Sequence, residues 1–248
     1  MPEPVRRALV SGAAGAIGRE IAFALSAAGV ELILHDRDRG GLDDVRGAIT
    51  GRGGVVDTVH SDLTDLARTR LLVAEALARA GGADILVNCA GIASDRRPLE
   101  ELEDDYIELQ MAINVYPAIA LARLVVGGMK ARRWGRLVNI SSVNGTVGVS
   151  NASAYNAAKG ALLALSKGWA RELGPWNITS NAVAPGLIRT PMTESYGEDV
   201  LREKSRGAVL GRPGTPTEVA AVVAFLASDA ASYMTGQVLS PNGGSAIV

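Results

Sequence analysis

The feature that most constrains the fold is a glycine-rich turn near the start of the chain. The short apolar run Arg7–Ser11 leads into Gly-Ala-Ala-Gly-Ala-Ile-Gly at residues 12–18, and residues 19–28 read as a helix. A strand, a glycine-rich turn and a helix start present free backbone N–H groups and the positive end of the helix dipole to a pyrophosphate. In isolation, a tight turn of small residues would look the same.

The next apolar run favours the dinucleotide interpretation. Residues 30–35 end at Asp36, where a dinucleotide fold places an acid for the adenosine ribose hydroxyls. Arg37 is a complication, because a basic residue directly after the strand can pair with a 2′-phosphate. Since Asp36 sits at the strand end and Arg37 should point to the opposite side, towards solvent, we predict NAD, with NADP as the less favoured alternative.

A second pattern lies in the middle of the chain. Tyr155 and Lys159 are four residues apart and share one face of a predicted helix, while Ser142 follows the apolar run 135–141. A lysine ammonium close to a phenol lowers the tyrosine pKa, so that the tyrosine can exchange protons near neutral pH. A serine hydroxyl at a strand end could hold the same substrate oxygen. Without other support, a packed tyrosine beside a surface lysine would be the better explanation of the pair.

Together these motifs make the chain resemble the short-chain dehydrogenase/reductase family over essentially its whole length. The family's Thr-Gly-x-x-x-Gly-x-Gly reads Ser-Gly-Ala-Ala-Gly-Ala-Ile-Gly at residues 11–18, and its Asn-Asn-Ala-Gly reads Asn-Cys-Ala-Gly at residues 88–91. The resemblance matches Asp62 to the family's adenine-side acid and Asn114 to the asparagine of its catalytic tetrad. It also implies that residues 185–190 meet the nicotinamide carboxamide.

The predicted site residues follow from the motifs and the resemblance together. The predicted catalytic residues are Ser142, Tyr155, Lys159 and Asn114. The predicted cofactor-binding residues are Ser11, Gly12, Gly15, Ala16, Ile17, Gly18, Asp36, Arg37, Asp62, Leu63, Asn88, Ala90, Gly91, Tyr155, Lys159, Pro185, Gly186, Ile188 and Thr190. We predict no metal site, since the chain has only two histidines and one cysteine.

Two departures from the family pattern bear on the glycine turn. The family's second loop glycine is Ala16 here, and its leading threonine is Ser11. A methyl group at position 16 would be costly if the backbone there had a positive φ and tolerable otherwise. We expect a modest adjustment rather than lost binding, and Ser11 keeps the hydroxyl.

Length and patterning predict an α/β fold: a single doubly wound (Rossmann) domain over residues 1–248. Apolar runs alternate with helical stretches, which favours a parallel sheet covered on both faces, and the resemblance implies the strand order 3-2-1-4-5-6-7. The predicted strands are 6–11, 30–35, 55–60, 84–88, 135–141, 177–183 and 236–240. The predicted helices lie near 17–28, 40–50, 65–80, 101–131, 153–173, 198–206 and 216–227.

The chain's other features concern partners and location. A net charge of −1 gives no sign of a nucleic-acid or membrane surface. The first residues lack an apolar stretch of signal-peptide length, so we expect a cytoplasmic protein with a small-molecule alcohol or ketone as substrate. Residues 187–212 are rich in glycine and proline and read as a substrate lid. Helix 153–173 is apolar over most of its circumference, and by resemblance we expect a homotetramer.

The predicted reaction is reversible hydride transfer between a nicotinamide and a secondary alcohol or ketone, with Tyr155 as the acid/base and Ser142 holding the substrate oxygen. By resemblance, Lys159 holds the nicotinamide ribose and Asn114 positions a water that connects Lys159 to solvent. Two alternatives stay open. One is an NADPH-dependent 3-oxoacyl-carrier-protein reductase, and the other is a non-catalytic dinucleotide sensor or scaffold.

Overall fold

The computed structural model describes residues 5–194 and 197–247. At its centre lies a seven-stranded parallel sheet with the strand order 3-2-1-4-5-6-7. The strands are β1 (Arg7–Ser11), β2 (Glu31–Asp36), β3 (Val56–His60), β4 (Ile85–Asn88), β5 (Gly135–Ile140), β6 (Ile178–Val183) and β7 (Val238–Leu239). The predicted fold class, the seven strands and their order are confirmed, with small differences at the strand ends.

Helices cover both faces of the sheet, and each face has its own apolar core. One core contains apolar side chains from the first, second and last long helices, and the other contains side chains from the third, fifth and seventh. Strands β4, β5 and β6 are buried along their whole length, as expected for a parallel sheet with two covered faces. The helices are α1 (Ala16–Ala27), α2 (Arg39–Thr50), α3 (Leu66–Ala80), α4 (Asp104–Asn114), α5 (Tyr116–Arg132), α6 (Asn144–Val147), α7 (Ser153–Leu173), α8 (Pro191–Glu194), α9 (Glu198–Ser205) and α10 (Pro216–Ala227).

The predicted helix 101–131 is wrong as a single element, because the chain breaks at Val115 between α4 and α5. Val115 has φ −118° and ψ −55°. Pro117 has no N–H, and its ring would clash with the carbonyl four residues earlier in a continuous helix. The stretch Asp104–Arg132 is long and apolar enough to cross a membrane by length and composition alone. Half of its most apolar part is buried inside the protein.

Helix α7, which the sequence shows to be apolar over most of its circumference, packs against other elements of its own chain on more than one side. Strands β5 and β6 and helices α4 and α6 all pack against it. The apolar positions beyond the sheet-facing stripe are therefore partly buried by α4.

The segment between β6 and α10 forms a flap with a closed base. Leu187 O accepts a hydrogen bond from Gly214 N–H at 2.9 Å, and Gly214 O accepts one from Arg189 N–H at 2.8 Å. Helix α9 confirms the predicted helix at 198–206. Residues 195 and 196 of the predicted lid lie outside the described residues.

Candidate active site

The glycine turn brings the start of α1 close to the loop that follows β4. Gly12 has φ +71°, and a β-carbon there would lie 2.6 Å from the Ala90 Cα. A β-carbon on Gly18 would collide with the Gly12 carbonyl oxygen. Both positions therefore need glycine, the first for its backbone angle and its close approach and the second for the close approach alone.

The N-terminus of α1 is free to bind an anion. Gly15 is the residue before the helix, no side chain caps the first turn, and the first turn carries no acidic residue. The first backbone N–H groups of a helix have no partner within it, and they carry the positive end of the helix dipole. Ala16 is the first residue of the helix and has no positive φ. Alanine is therefore tolerated at this position, where the family has a glycine.

Asp36 joins the glycine turn to the loop after β2. Its Oδ2 accepts a hydrogen bond from Ala14 N–H at 2.9 Å, and its Oδ1 accepts one from Asp38 N–H at 3.0 Å. Arg37 is exposed, but it lines the same cavity as Asp36. This exposure agrees with the expectation that Arg37 points towards solvent, and its placement on the side opposite to Asp36 stays a prediction.

The end of β3 contributes a second acid to this part of the cavity. Thr64 donates hydrogen bonds to Asp62 Oδ1 from its N–H and its hydroxyl, at 2.9 and 2.8 Å. These bonds, and then the charge of Arg37, lower the pKa of Asp62 below its usual value. Asp62 is therefore an anion at neutral pH.

His35 lies beneath this end of the cavity as a buried neutral side chain. Its Nε2 is 2.9 Å from Ser61 Oγ, which is in turn 2.9 Å from Thr69 Oγ1. Burial lowers the pKa of His35 to about 4. Its Nδ1 is buried without a hydrogen-bond partner among the described residues.

The predicted acid/base pair lies on the first turns of α7. Lys159 Nζ is 5.8 Å from the centre of the Tyr155 ring and donates a hydrogen bond to Ile140 O at 3.1 Å. Burial lowers the pKa of Lys159 to about 8. Its side chain is thus a buried amine that still carries its charge at neutral pH.

Two contacts hold this part of α7 against the end of β5. Ser141 Oγ donates a hydrogen bond to Lys159 O at 2.7 Å. A β-carbon on Gly145 would lie 2.7 Å from the Lys159 carbonyl carbon, so the chain after Ser142 passes very close to the helix. Ser142 Oγ accepts a hydrogen bond from Asn144 N–H at 3.2 Å, which orients the hydroxyl on the cavity wall.

Three predicted residues lie behind the cavity wall rather than on it. Ser11 Oγ accepts hydrogen bonds from Cys89 N–H and Ala90 N–H, at 3.2 and 3.3 Å. Asn88 Nδ2 donates to Asn139 Oδ1 at 2.8 Å, so this side chain joins β4 to β5 instead of facing the cavity. Asn114 lies behind Gly91 and accepts a hydrogen bond from Ile92 N–H at 3.3 Å.

The cavity itself has a volume of about 580 Å³ and runs along the carboxyl ends of the strands. It brings together the other predicted residues, which come from segments far apart in the chain. The lining residues that were not named individually are mostly neighbours of motif positions; among them, Ile92 and Ala93 lie in a loop expected to contact substrate (residues 92–98), and Pro191 and Thr193 lie in the predicted lid. The lining residues that were predicted are Gly12, Gly15, Ala16, Ile17, Gly18, Asp36, Arg37, Asp62, Leu63, Ala90, Gly91, Ser142, Tyr155, Lys159, Pro185, Gly186, Ile188 and Thr190, and those that were not are Ala14, His35, Asp38, Ser61, Cys89, Ile92, Ala93, Ile113, Ile140, Ser141, Pro191 and Thr193.

Known proteins share both the sequence and this arrangement. A family model described as enoyl-(acyl carrier protein) reductase matches residues 12–246. A 3-oxoacyl-[acyl-carrier-protein] reductase of Thermotoga maritima is 37% identical over 95% of this chain and 96% of its own length. The chain belongs to the short-chain dehydrogenase/reductase family. It is an oxidoreductase of that family, with the family's Rossmann fold.

Two further relatives show the breadth of the similarity. Nodulation protein G of Rhizobium meliloti is 38% identical over 98% of both chains. A protein of Agrobacterium tumefaciens, proposed to be a gluconate dehydrogenase, has a crystal structure that superposes with a TM-score of 0.92. That structure is 27% identical and covers 98% of this chain and 97% of its own.

Proposed function

We propose that this protein is an NAD(H)-dependent oxidoreductase that interconverts a secondary alcohol and a ketone. The observation that carries the proposal is that one cavity holds both the bare N-terminus of α1 and the three groups Ser142, Tyr155 and Lys159. The first suits an anionic cofactor, and the second suits proton transfer to an oxygen.

The residues around the cavity fit a nicotinamide dinucleotide. Gly12 and Gly18 leave no room for side chains at the turn, so a pyrophosphate can approach the backbone N–H groups of α1. Asp36 would hold the adenosine ribose, Asp62 and Leu63 the adenine, and residues 185–190 the nicotinamide. When bound, the cofactor accepts or supplies the hydride.

The chain's own residues manage the proton. In the oxidising direction, Tyr155 as phenolate takes the proton of the substrate hydroxyl, and in the reducing direction it returns one. Ser142 donates a hydrogen bond to the substrate oxygen and stabilises its developing charge. The charged Lys159 favours the phenolate form of Tyr155 through its positive charge.

The deciding experiment removes only the acid/base group. Tyr155→Phe keeps the ring, and we expect kcat to fall at least roughly a hundredfold, the low end for general acid–base catalysis. Cofactor affinity, measured by fluorescence titration, should be retained. Tyr233→Phe, at a fully exposed tyrosine outside the cavity, is the matched control and should behave as the unmodified protein. Near-normal turnover by Tyr155→Phe would contradict the proposal.

A second candidate function is reduction of a 3-oxoacyl thioester. The Thermotoga maritima relative carries that name, as does a Salmonella typhimurium relative that is 38% identical. Turnover of a panel of secondary alcohols with NAD, against 3-oxoacyl thioesters with NADPH, separates the two. Tight dinucleotide binding with no turnover on either panel would favour the sensor alternative.

A further inference from the structure

One face of α4 is joined, residue by residue, to the loop of residues 91–97 that follows β4. The helix and the residue that precedes it supply polar side chains at positions 103, 106, 110 and 114, which share a face because they recur every three to four residues. The loop runs antiparallel to the helix, so its successive backbone groups meet successive side chains. The bonds are Ile92 N–H to Asn114 Oδ1 at 3.3 Å, Gln110 Nε2 to Ala93 O at 3.0 Å, Asp95 N–H to Tyr106 OH at 2.6 Å, and Arg97 Nη1 to Glu103 Oε2 at 2.7 Å.

Gln110 is the only member of this set with no solvent exposure at all. Its Nε2 donates to Ala93 O and to Tyr106 OH, both at 3.0 Å. Its Oε1 accepts from Asn114 Nδ2 at 2.8 Å. Because both amide donors are used on one side, the Gln110 carboxamide has a single orientation, and its oxygen must face Asn114.

That orientation helps to fix the Asn114 carboxamide, whose Nδ2 donates to Gln110 Oε1 at 2.8 Å and to the backbone Gln110 O at 3.1 Å. With its nitrogen turned towards Gln110, Asn114 must turn Oδ1 towards Gly91 and Ile92. A β-carbon on Gly91 would lie 2.6 Å from Asn114 Oδ1 and 3.1 Å from Lys159 Nζ, so these two atoms flank the same small space. If the amide were reversed, its N–H groups would face the Lys159 ammonium, which is electrostatically unfavourable.

We propose that Gln110 is a positioning residue of the active site. It keeps the Asn114 carboxamide oxygen on the Lys159 side and holds the cavity wall at Ile92 and Ala93 in one place. The inference rests on the proposed function for its catalytic consequence, but the geometry that it describes can be tested separately.

The primary test is Gln110→Met, which keeps the length of the side chain and removes all of its strong hydrogen bonds. We expect kcat at pH 7 to fall about tenfold, the loss for one buried hydrogen-bonding group left without a partner. Dissociation constants for NAD(H) should stay within about threefold of the unmodified protein. Tyr106→Phe is the matched control, because it removes the bond from Asp95 and one of the two acceptors of Gln110 Nε2 but leaves the bonds of Gln110 to Ala93 and Asn114. We expect it to raise KM and to change kcat less than Gln110→Met does.

The pH profile distinguishes positioning from a general loss of stability. The titratable groups facing Lys159 are Tyr155 on its own helix and Cys89 from the loop after β4. When Asn114 Oδ1 no longer faces Lys159, the charged form of Lys159 is less favoured, and the lysine stabilises the Tyr155 phenolate less well. The kcat profile of Gln110→Met should therefore move to higher pH. A uniform loss of kcat at all pH values would overturn the proposal.

A double-mutant cycle with Asn114→Ala tests whether Gln110 acts through Asn114. If it does, Gln110→Met should cause little further loss of kcat in the Asn114→Ala background. Two independent, additive losses would overturn the proposal. If Gln110→Met does not fold, Gln110→Glu replaces it, because burial favours the protonated carboxyl, whose O–H can donate to Ala93 O while its other oxygen accepts from Asn114 Nδ2. We expect that variant to keep kcat within about threefold, and a tenfold loss would overturn the proposal.

A readout without substrate separates this inference from the proposed function. Hydrogen exchange at the amides of Ile92 and Asp95 should accelerate in Gln110→Met even if no substrate is ever turned over. Unchanged exchange at both amides would overturn the proposal. If only the proposed function is wrong, the unmodified protein will show no turnover, but exchange at these amides will still accelerate in Gln110→Met.

Discussion

At the scale of single residues, Asp36 has two roles that a sequence motif cannot separate. In the proposed function its carboxylate holds a ribose, and in the structure it accepts backbone hydrogen bonds from Ala14, in the glycine turn, and from Asp38. Arg37 lines the same cavity. The choice between NAD and NADP therefore depends on two adjacent side chains of opposite charge.

Substituting Asp36 and Arg37 one at a time should change the use of NAD and NADP in different ways. Asp36→Ala should weaken NAD use and relax the exclusion of NADP, because the carboxylate that repels a 2′-phosphate is gone. Arg37→Ala should leave kcat/KM for NAD within about threefold and reduce any use of NADP. The measurement is kcat/KM with each cofactor on the three proteins. A clear NADP preference of the unmodified protein would mean that Arg37 governs the site.

The buried, neutral His35 should make the stability of the protein depend on pH. Its pKa is lowered to about 4 in the folded protein, against 6.5 when unfolded, so the unfolded chain binds a proton that the folded one does not between these values. The free energy of unfolding should fall as pH drops through this window, by about 1.4 kcal/mol per pH unit at most. His35→Asn should lose this part of the pH dependence. Urea unfolding of both proteins at pH 7 and pH 5 is the measurement, and equal changes would contradict the assignment to His35.

At the scale of elements, the sequence allowed the strands and most helices to be predicted, because apolar runs and glycine turns are local signals. The break at Val115 had a local signal in Pro117, which the apolar pattern outweighed. The contact of Gln110 with Ala93 had no local signal, since Ala93 becomes its partner only when loop 91–97 folds along α4, whereas Asn114 is four residues away on the same helix. The placement of Asn88 behind the wall likewise depends on Asn139 in the neighbouring strand.

A prediction at the scale of elements concerns the movement of the flap between β6 and α10. Its base is closed by backbone bonds between residues 187–189 and Gly214, whereas α9 is held partly by an exposed ion pair between Arg189 and Glu198 at 2.6 Å. We propose that residues 190–212 close over the substrate. Their amides should gain hydrogen-exchange protection when cofactor and substrate bind, while those of the base stay protected throughout. Equal protection in free and bound protein would indicate a static surface element.

At the scale of the whole molecule, the exposed apolar side chains of α4 and α5 bear on assembly. Ile107, Leu109 and Tyr116 are all more than a third exposed. We propose that copies of the chain pack through this region in a homotetramer. Light scattering should give four times the chain mass, and Leu109→Glu should lower it. Leu71→Glu, at an exposed leucine of α3, is the control. A monomer for the unmodified protein would contradict the proposal.

The hydrogen bonds from Cys89 and Ala90 to Ser11 also have a consequence for biosynthesis. They join residues almost eighty positions apart, so the glycine turn cannot take its final shape on the ribosome until β4 has emerged. Lys159 and the flap follow much later in synthesis. The complete cavity can therefore form only after β6 and the flap have been synthesised, late in translation. A chain released before that point lacks part of the cavity and would gain less stabilisation from cofactor binding than the full chain does.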